Sequence, residues 1–459
     1  MTNTPPPLMT EQPLSIDDVL ATVRDALDRG AIQDAIAVLE QLRPPDQAEV
    51  FEELDTDDQA ALLPRLEPDD SANILEELED EDAADVAEQI DPASLARILD
   101  EMEPDEAADL LGDLDPDHAR LALAQMEEAD DVRPLLIHSD DSAGGLMTSE
   151  FLVLRQRMTV QDAIQALREW RPSEDFAYYL YVVDRDNVLR GVVSLRKLIT
   201  ADPRTPLHDI MDTDLITVKA GTDQEEVARI MSKYDLLALP VVNDAGHMLG
   251  VITYDDVVDV IEEEASEDIL HLGGVLDEES AVGPVRTSVR RRLPWLYVNL
   301  VTAFLAAGVI SLFKGTIERV AILAAFQAIV AGQGGNAGTQ ALTVMVRSLA
   351  LGEINLRDTW RALLKEIAVG LINGLAVGAL VGLIVFVLQG NPLLGLIIGL
   401  AMVGNLIAAG IAGTLVPITL RRFKLDPALG SGVIVTTVTD VCGFGLFLGL
   451  ATVFIQWLT

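Results

Sequence analysis

The spacing of hydrophobic residues changes near residue 284 of the 459-residue chain. Before that point, apolar residues recur every three or four positions or alternate with polar ones. After it, they form long runs with almost no charge. An uncharged run of about 20 residues is long enough to cross the hydrocarbon core of a membrane. The sequence predicts five such spans, at residues 293–313, 320–346, two segments of 367–420 that separate at 389–392, and 427–458.

The second predicted span has a polar middle with the sequence GQGGNAGTQ. Its polar residues are Asn336, Thr339 and Gln340, and its glycines are Gly334, Gly335 and Gly338. Such glycines either let helices pack closely or leave a non-helical break. Irregular polar backbone at membrane depth is tolerated only against protein or beside a water-filled path. The segment therefore indicates either tight helix packing or the lining of a pathway.

A single carboxylate interrupts the last predicted span. Residues 427–459 are uncharged apart from Asp440, which lies in VIVTTVTDVCGFG. An ionised aspartate in hydrocarbon costs about 2.5–3.5 kcal/mol even on lenient scales, so it normally faces a bundle interior or a pore. Asp440 is therefore either a protonated structural residue that hydrogen-bonds neighbouring helices or a cation site in a transport pathway. Thr436 and Thr437 precede it by about one helical turn.

The loops between the predicted spans differ in positive charge, which concentrates in the cytoplasmic loops of membrane proteins. The loops on one face carry only Lys314 and Arg319, whereas three basic clusters lie on the other face, together with the N-terminal half. The clusters are Arg290, Arg291 and Arg292; Arg347, Arg357, Arg361 and Lys365; and Arg421, Arg422 and Lys424. The pattern predicts a plasma-membrane protein with a cytoplasmic N-terminal half and an external C-terminus.

Residues 43–126 form seven blocks of 12 residues, such as EPDDSANILEEL and EPDEAADLLGDL. An acidic residue opens six blocks, and Pro stands second in five. An acidic cap followed by Pro is typical of a helix start, because the first turn leaves its N–H groups unpaired in any case. Every block ends in an apolar residue. The repeat therefore predicts short helices stacked into an acidic α-solenoid.

Residues 144–264 contain a pattern of short strands and amphipathic helices in two copies. Each copy reads Met-Thr or Met-Asp, a strand, a helix, a strand ending in Asp or Asn, and a Gly-Val strand followed by a helix. This order resembles a tandem pair of CBS domains, α+β modules that commonly bind adenine nucleotides. By that resemblance, Thr253 and Asp256 of the second copy would hold a ribose, whereas the first copy has Lys197 in place of the aspartate. One nucleotide site, for ATP, is therefore implied.

An acidic segment leads from the second copy towards the first span. Eight carboxylates fall within the 14 residues 255–268. On a helix, Asp256, Asp259, Glu263 and Glu267 share one face, where like charges repel. Divalent cations would neutralise them, since hard cations prefer carboxylate oxygens. A merely solvated acidic helix is the alternative.

Charge and cysteine content exclude several classes of protein. The net charge of −42 divides into −49 over the first 284 residues and +7 beyond them. Salt adaptation would explain part of this acidity, but an acidic surface repels nucleic acid, so no DNA or RNA partner is expected. The single cysteine, Cys442, cannot form an intramolecular disulfide. With no catalytic motif in the sequence, the chain is not predicted to be an enzyme.

Taken in order, the solenoid, the CBS-like pair, the acidic helix, the five spans, GGNAGTQ and TTVTD closely resemble the MgtE family of magnesium transporter-channels. The resemblance implies a homodimer in membrane lipid, with a pore between the second and fifth spans in which Asp440 binds hydrated Mg²⁺. It also implies cytosolic Mg²⁺ sensor sites. We assign these to Asp256, Asp259, Glu264 and Glu267 near the membrane and to Asp91, Glu101 and Asp105 in the solenoid. Where the family is expected to read Pro-x-x-x-Gly-Met-Gly-Gly-Asn, this chain carries Gln327 and Gln333.

The implied architecture is multidomain, with an α-solenoid, an α+β CBS pair and an all-α membrane domain of five helices. The predicted boundaries are a disordered tail at 1–14, the solenoid at 15–140, the CBS pair at 141–264, a connecting plug-like helix at 265–289 and the membrane domain at 290–459. The implied function is Mg²⁺ transport that cytosolic Mg²⁺ shuts off. Two alternatives stay open: a broader divalent-cation transporter, for example for Co²⁺, and a nucleotide-sensing CBS signalling protein anchored in the membrane.

Overall fold

A computed structural model describes residues 15–170, 179–276, 285–354 and 358–458. The predicted disordered tail, part of the connecting segment and Arg357 lie outside the described residues. The chain divides into two units, Met1–Val260 and Ile261–Thr459. The helix Tyr254–Gly273 runs through the predicted boundary at 264/265 without a break.

The first unit begins with ten helices, of which the seven from residue 44 to residue 123 follow the 12-residue repeat. Proline occupies the first helical position of five of them, at Pro44, Pro68, Pro92, Pro104 and Pro116. The apolar residue that ends each block is buried. The predicted helical N-terminal domain is confirmed. The helices are α1 (Ile16–Asp28), α2 (Ile32–Leu39), α3 (Pro44–Glu52), α4 (Thr56–Leu62), α5 (Pro68–Glu76), α6 (Asp80–Ala87), α7 (Pro92–Leu99), α8 (Pro104–Asp113), α9 (Pro116–Leu123) and α10 (Ala129–Val132).

A repeated hydrogen bond joins blocks that lie three apart. The tenth residue of one block is a carboxylate that accepts from the backbone N–H opening the third block further on or, for Asp100, from the N–H directly after the last block. The pairs are Glu76 with Glu103 at 2.8 Å, Glu88 with Asp115 at 3.0 Å, and Asp100 with Glu127 at 2.9 Å. These N–H groups lie at helix starts, where the helix itself offers no acceptor. Part of the acidity of the repeat is therefore structural.

Two three-stranded sheets follow, and they repeat one topology. In each sheet the first strand is parallel to the second, and the second is antiparallel to the third. The pairing shifts by a bulge at the same point in both, after Val182 and after Val241. The predicted duplication is confirmed. The elements are β1 (Val153–Arg155), α11 (Val160–Trp170), β2 (Tyr179–Val183), β3 (Leu189–Ser194), α12 (Leu195–Thr200), β4 (Val218–Lys219), α13 (Gln224–Tyr234), β5 (Ala238–Val242), β6 (Met248–Thr253) and α14 (Tyr254–Gly273).

All the regular secondary structure in the described part of the second unit is helical. Its helices after α14 are α15 (Val285–Leu312), α16 (Lys314–Arg319), α17 (Ile322–Ala350), α18 (Thr359–Gln389), α19 (Pro392–Arg422), α20 (Ser431–Val453) and α21 (Ile455–Leu458). Four described helices, α15, α18, α19 and α20, are long and apolar enough to cross a membrane. The predicted second span is the 29-residue helix α17, whose middle is polar. The chain is therefore a multi-pass membrane protein.

Two features of the membrane helices follow directly from the sequence. The predicted break at 389–392 is confirmed, because Gly390 ends α18 with a φ of +68°, Asn391 caps α19 and Pro392 opens it. In contrast, α17 is one unbroken helix, so the non-helical break considered for its glycines is wrong. Close packing is the alternative that holds: a Cβ at Gly338 would lie 2.6 Å from Val435 of α20.

Candidate ion pathway and metal sites

Asp440 lies in the middle of α20, and its side chain is half-buried. No described side chain forms a hydrogen bond or ion pair with its carboxylate. Thr436 and Thr437 precede it, and their hydroxyl groups donate to the carbonyl oxygens of Gly432 and Val433, at 2.9 and 2.6 Å. The lone pairs of both hydroxyls therefore remain as acceptors beside an unpaired carboxylate.

Helix α17 packs against this part of α20. A Cβ at Gly335 would lie 3.8 Å from the methyl group of Thr436, and Gly338 faces Val435 and Thr439. Asn336 lies between these two glycines and is exposed, whereas Gly334 is buried. The structure thus brings the polar motif of α17 and the threonine-aspartate motif of α20 together, although Gly334 itself faces another helix.

Three carboxylates meet in the first unit, from the start of α8 and the start of α14. Oxygen atoms of Glu103, Asp105 and Asp256 lie within 4.8 Å of one another. Asp105 is 4% exposed, and its Oδ1 has no hydrogen-bond partner among the described residues. Burial, and then the charge of Asp256, raise the pKa of Asp105 well above its usual range. Oxygen ligands this close, with one left unpaired, can hold a hard divalent cation.

Asp256 connects this cluster to the predicted nucleotide-binding residue Thr253. Its Oδ2 accepts from the Thr253 hydroxyl at 2.6 Å and from the Thr253 backbone N–H at 3.0 Å. Burial raises the pKa of Asp256 to about 6, against the lowering effect of these hydrogen bonds. Thr253 is 3% exposed. The two residues assigned to a ribose are therefore bonded to each other in this structure.

A second group of acids lies on the same helix, α8, and the sequence reasoning did not select it. Burial and the charge of Asp109 raise the pKa of Glu106 to about 9. Burial and the nearby Asp140 raise the pKa of Asp109 to about 8. The spacing of Asp105 and Asp109 on one helical face was a signal for this group, but the partner Asp140 is distant in sequence.

The second unit contains a mixed cluster of one histidine and two acids. Nδ1 of His271 lies 2.6 Å from Asp426 Oδ2 and 3.3 Å from Glu267 Oε1, and His271 is 6% exposed. Beside it, burial and the charges of Asp426 and Glu264 raise the pKa of Asp268 to about 6. Asp426 and Asp268 were not assigned from the sequence. An acid that closes the basic stretch RRFKLDP was the available signal for Asp426.

Three further assigned sensor residues are not among the acids that lie within 4.8 Å of one another in these clusters. Asp91 is exposed and caps α7, where its Oδ1 accepts from the backbone N–H groups of Ala93 and Ser94. Glu101 is exposed. Asp259 is exposed on α14, and its charge contributes to the raised pKa of Asp256. Their assignment as ligands stays a prediction.

Comparison with known proteins identifies the family of the chain. Residues 22–141 match the family model of the MgtE intracellular N domain, residues 143–204 and 207–263 match the CBS domain, and residues 327–450 match the MgtE divalent cation transporter. The chain is 40% identical to the magnesium transporter MgtE of Thermus thermophilus over 330 residues, which are 71% of this chain and 73% of that protein. The chain belongs to the MgtE family.

Further MgtE relatives agree with this result. The magnesium transporter MgtE of Enterococcus faecalis is 38% identical over 331 residues, which are 72% of this chain and 73% of that protein. The crystal structure of the cytosolic domain of the Mg²⁺ channel MgtE in complex with ATP matches with a TM-score of 0.50 at 36% identity, covering 52% of this chain and 99% of that one. The resemblance to MgtE and to a CBS pair, predicted from the motifs, is confirmed. Asp440 lies within the MgtE transporter match and Asp105 within the N-domain match.

Proposed function

We propose that this MgtE-family chain carries Mg²⁺ across the plasma membrane and that cytosolic Mg²⁺ closes its pathway. The observation that carries the proposal is Asp440, a half-buried carboxylate in α20 beside the polar motif of α17. A charge at membrane depth is costly, so such residues are rare and generally mark a functional site. The magnesium transporters among the relatives support Mg²⁺ as the transported ion.

The composition of the pathway suits Mg²⁺ with its water shell retained. Mg²⁺ loses water reluctantly and is commonly held by one or two carboxylates, whereas Ca²⁺ takes six to eight oxygen ligands. One Asp440 per chain, doubled in a homodimer, would give two carboxylates. The acceptor oxygens of Thr436 and Thr437 would contact the ion's waters, and Asn336 and Gly335 would line the same path. Gly334, which the sequence also placed in the lining, packs against Asn405 of α19 instead. The exposed position of Asn336 supports a lining role.

The acidic clusters are proposed as the sensor. Unneutralised, Glu103, Asp105 and Asp256 repel one another, and the raised pKa of Asp105 reflects that repulsion and its burial. A divalent cation would replace the repulsion by shared coordination. Asp259, Glu264 and Glu101 are retained as further sensor residues, whereas the helix cap that Asp91 forms is the role that the structure favours for that carboxylate.

The cluster of His271, Glu267 and Asp426 is proposed as a second sensor site. It would consist of Glu267 on α14 and Asp426 after α19, with Asp268 beside them. An ion shared by these carboxylates would fix α14 against the segment that precedes α20. Because α20 carries Asp440, this contact would couple cytosolic Mg²⁺ to the pathway.

The nucleotide and the topology complete the proposal. ATP, which is bound in the related cytosolic domain, is proposed to bind at Thr253 and Asp256. Since Asp256 also belongs to the carboxylate cluster, nucleotide and metal would share a residue. The basic residues at the starts and ends of the membrane helices support a cytoplasmic N-terminus and, with five spans, an external C-terminus.

The test is Mg²⁺ uptake into liposomes that contain the purified full-length protein at low internal Mg²⁺. We expect Asp440→Ala to abolish uptake or to make it unselective. A matched control is Glu318→Gln, an exposed acid of α16 that pairs with Lys314 at 3.8 Å. Undiminished, selective uptake by Asp440→Ala would make Asp440 structural and move the pathway to Asn336 and its neighbours.

A further inference from the structure

Asn405 is a buried amide in the middle of α19, a helix that the proposed pathway does not use. Its side chain is 0% exposed. Nδ2 donates to the backbone carbonyl oxygen of Val330 in α17 at 2.9 Å. Oδ1 has no hydrogen-bond partner among the described residues. The bond to an acceptor oxygen fixes which end of the amide faces α17.

Two glycines enclose this amide, one on each helix of the proposed pathway. A Cβ added to Gly334 of α17 would lie 2.2 Å from Asn405 Nδ2. A Cβ added to Gly443 of α20 would lie 2.7 Å from the same nitrogen. Real side-chain atoms do not approach this closely, so a side chain at either position would force the buried Asn405 amide to shift. The amide therefore fits between α17 and α20 and contacts both.

The contact lies close to the proposed ion site. Gly443 is three residues after Asp440, which is less than one helical turn. Gly334 precedes Gly335, the residue that faces Thr436 of α20. Any change in the size of residue 405 would therefore alter the separation of α17 and α20 at the height of Asp440.

Packing alone does not explain an asparagine here. A leucine would fill a similar volume and would bury no unpaired oxygen, and polar side chains at membrane depth are unfavourable without partners. The hydrogen bond from Asn405 to a backbone carbonyl adds what leucine lacks, a directional link to α17.

We propose that Asn405 is a positioning residue for ion selectivity, which sets the spacing and rotation of α17 and α20 around Asp440. This inference rests on the proposed function. It assigns to α19 a part in a pathway that the sequence placed in α17 and α20 alone.

The first experiment measures Mg²⁺ uptake and the Mg²⁺-over-Ca²⁺ preference of Asn405→Ala and Asn405→Ser in liposomes. We expect the preference to fall about tenfold, the scale of one lost buried hydrogen bond. The matched control is Thr414→Val on the same helix, because Thr414 is equally buried but, among the described residues, its hydroxyl donates only to the carbonyl oxygen of Gly410 of α19 itself, at 2.8 Å. We expect Thr414→Val to keep the wild-type preference. Asparagine variants that are less heat-stable but equally selective would overturn the proposal, since they would show a packing role only.

The second experiment tests the contact with α20. We expect Gly443→Ala to impair uptake in the wild-type background and to be largely tolerated once Asn405→Ala has made room. Gly445→Ala is its control, because a Cβ there would meet no atom within 4 Å in the described part of the chain. Additive effects of Gly443→Ala and Asn405→Ala would overturn the proposal.

The two proposals can fail separately. If Asp440→Ala abolishes uptake while the Asn405 variants behave as wild type, the pathway stands and the positioning role is wrong. If Asp440→Ala transports Mg²⁺ normally, the pathway itself is wrong, whatever Asn405 does.

Discussion

Carboxylates are crowded in the first unit and almost absent from the membrane helices. Asp105, Glu106 and Asp109 lie within five residues of α8, and burial and the charges of neighbouring carboxylates raise the pKa of each. Asp440 has hydroxyl groups and glycines around it instead of other charges. The difference matches two tasks. A sensor must hold an ion until its concentration falls, whereas a pathway must bind it weakly enough to release it.

The largest expected difference comes from making the same substitution, aspartate to asparagine, once in the membrane helices and once in the first unit. Asp440→Asn removes the charge and keeps the shape, and we expect Mg²⁺ uptake to fall by at least about a hundredfold, on the scale of one electrostatic group lost from a buried site. Asp105→Asn should leave the maximal uptake at low cytosolic Mg²⁺ unchanged, because the sensor is then unoccupied. Uptake assays in liposomes measure both variants. An equal loss of Mg²⁺ uptake in the two would contradict the division into a pathway and a sensor.

The next effect concerns the inhibition of uptake by cytosolic Mg²⁺. Asp105→Asn removes a ligand with an unpaired oxygen, and we expect the Mg²⁺ concentration that halves uptake to rise about tenfold, within the usual range of coupling between sites. The control is Asp117→Asn, an exposed acid of α9 that pairs with Arg120 at 2.6 Å. An unchanged shut-off concentration in Asp105→Asn would remove this cluster from the sensor.

The stability of the first unit should fall as pH rises, whereas ordinary ion-paired acids make stability rise with pH. The pKa values of Asp256 and Asp109 are raised to about 6 and 8, so these groups favour the folded state when protonated. Their contribution is fully present below the unfolded values near pH 4 and is lost as pH rises through about 6 to 8.

Hydrogen exchange of the α8 amides in the full-length protein measures this effect. Without Mg²⁺, we expect protection at pH 8.5 to be about tenfold lower than at pH 6 after correction for intrinsic exchange, which corresponds to one pKa unit of linkage. Saturating Mg²⁺ should reduce the difference, because ions replace protons. Equal protection at both pH values would contradict the raised pKa values.

Local patterns in the sequence were sufficient wherever one residue or one repeat decides the structure. Proline at helix starts located five solenoid helices, and Gly390, Asn391 and Pro392 located the turn between α18 and α19. Asp440 was found because a charge in an apolar run is conspicuous. These features depend on local geometry or on membrane energetics, which the sequence states directly.

Contacts between distant segments were not accessible in the same way. Asp426 lies 155 residues from His271, and no periodicity links them. Asp140 approaches Asp109 only after the solenoid folds. The repeat itself made the register ambiguous, since every block offers similar acids, and carboxylates such as Glu76 and Glu88 accept hydrogen bonds from helix starts three blocks away.

The smallest expected effect tests that ambiguity at Asp91. Its Oδ1 accepts from two backbone N–H groups of α7, both at 3.2 Å, and the side chain is exposed. Asp91→Ala should therefore lower the hydrogen-exchange protection of α7 about fivefold, whereas Asp91→Asn, which caps a helix as well, should leave it nearly unchanged. Hydrogen exchange of α7 measures both.

Because the cap explains Asp91 without a metal, we expect neither variant to change the Mg²⁺ concentration that halves uptake. If Asp91→Asn raised that concentration as much as Asp105→Asn does, the assignment of Asp91 as a ligand would be correct. The cap would then be a second role of the same carboxylate, because Asn keeps the hydrogen bonds of the cap and loses only the charge that an ion requires.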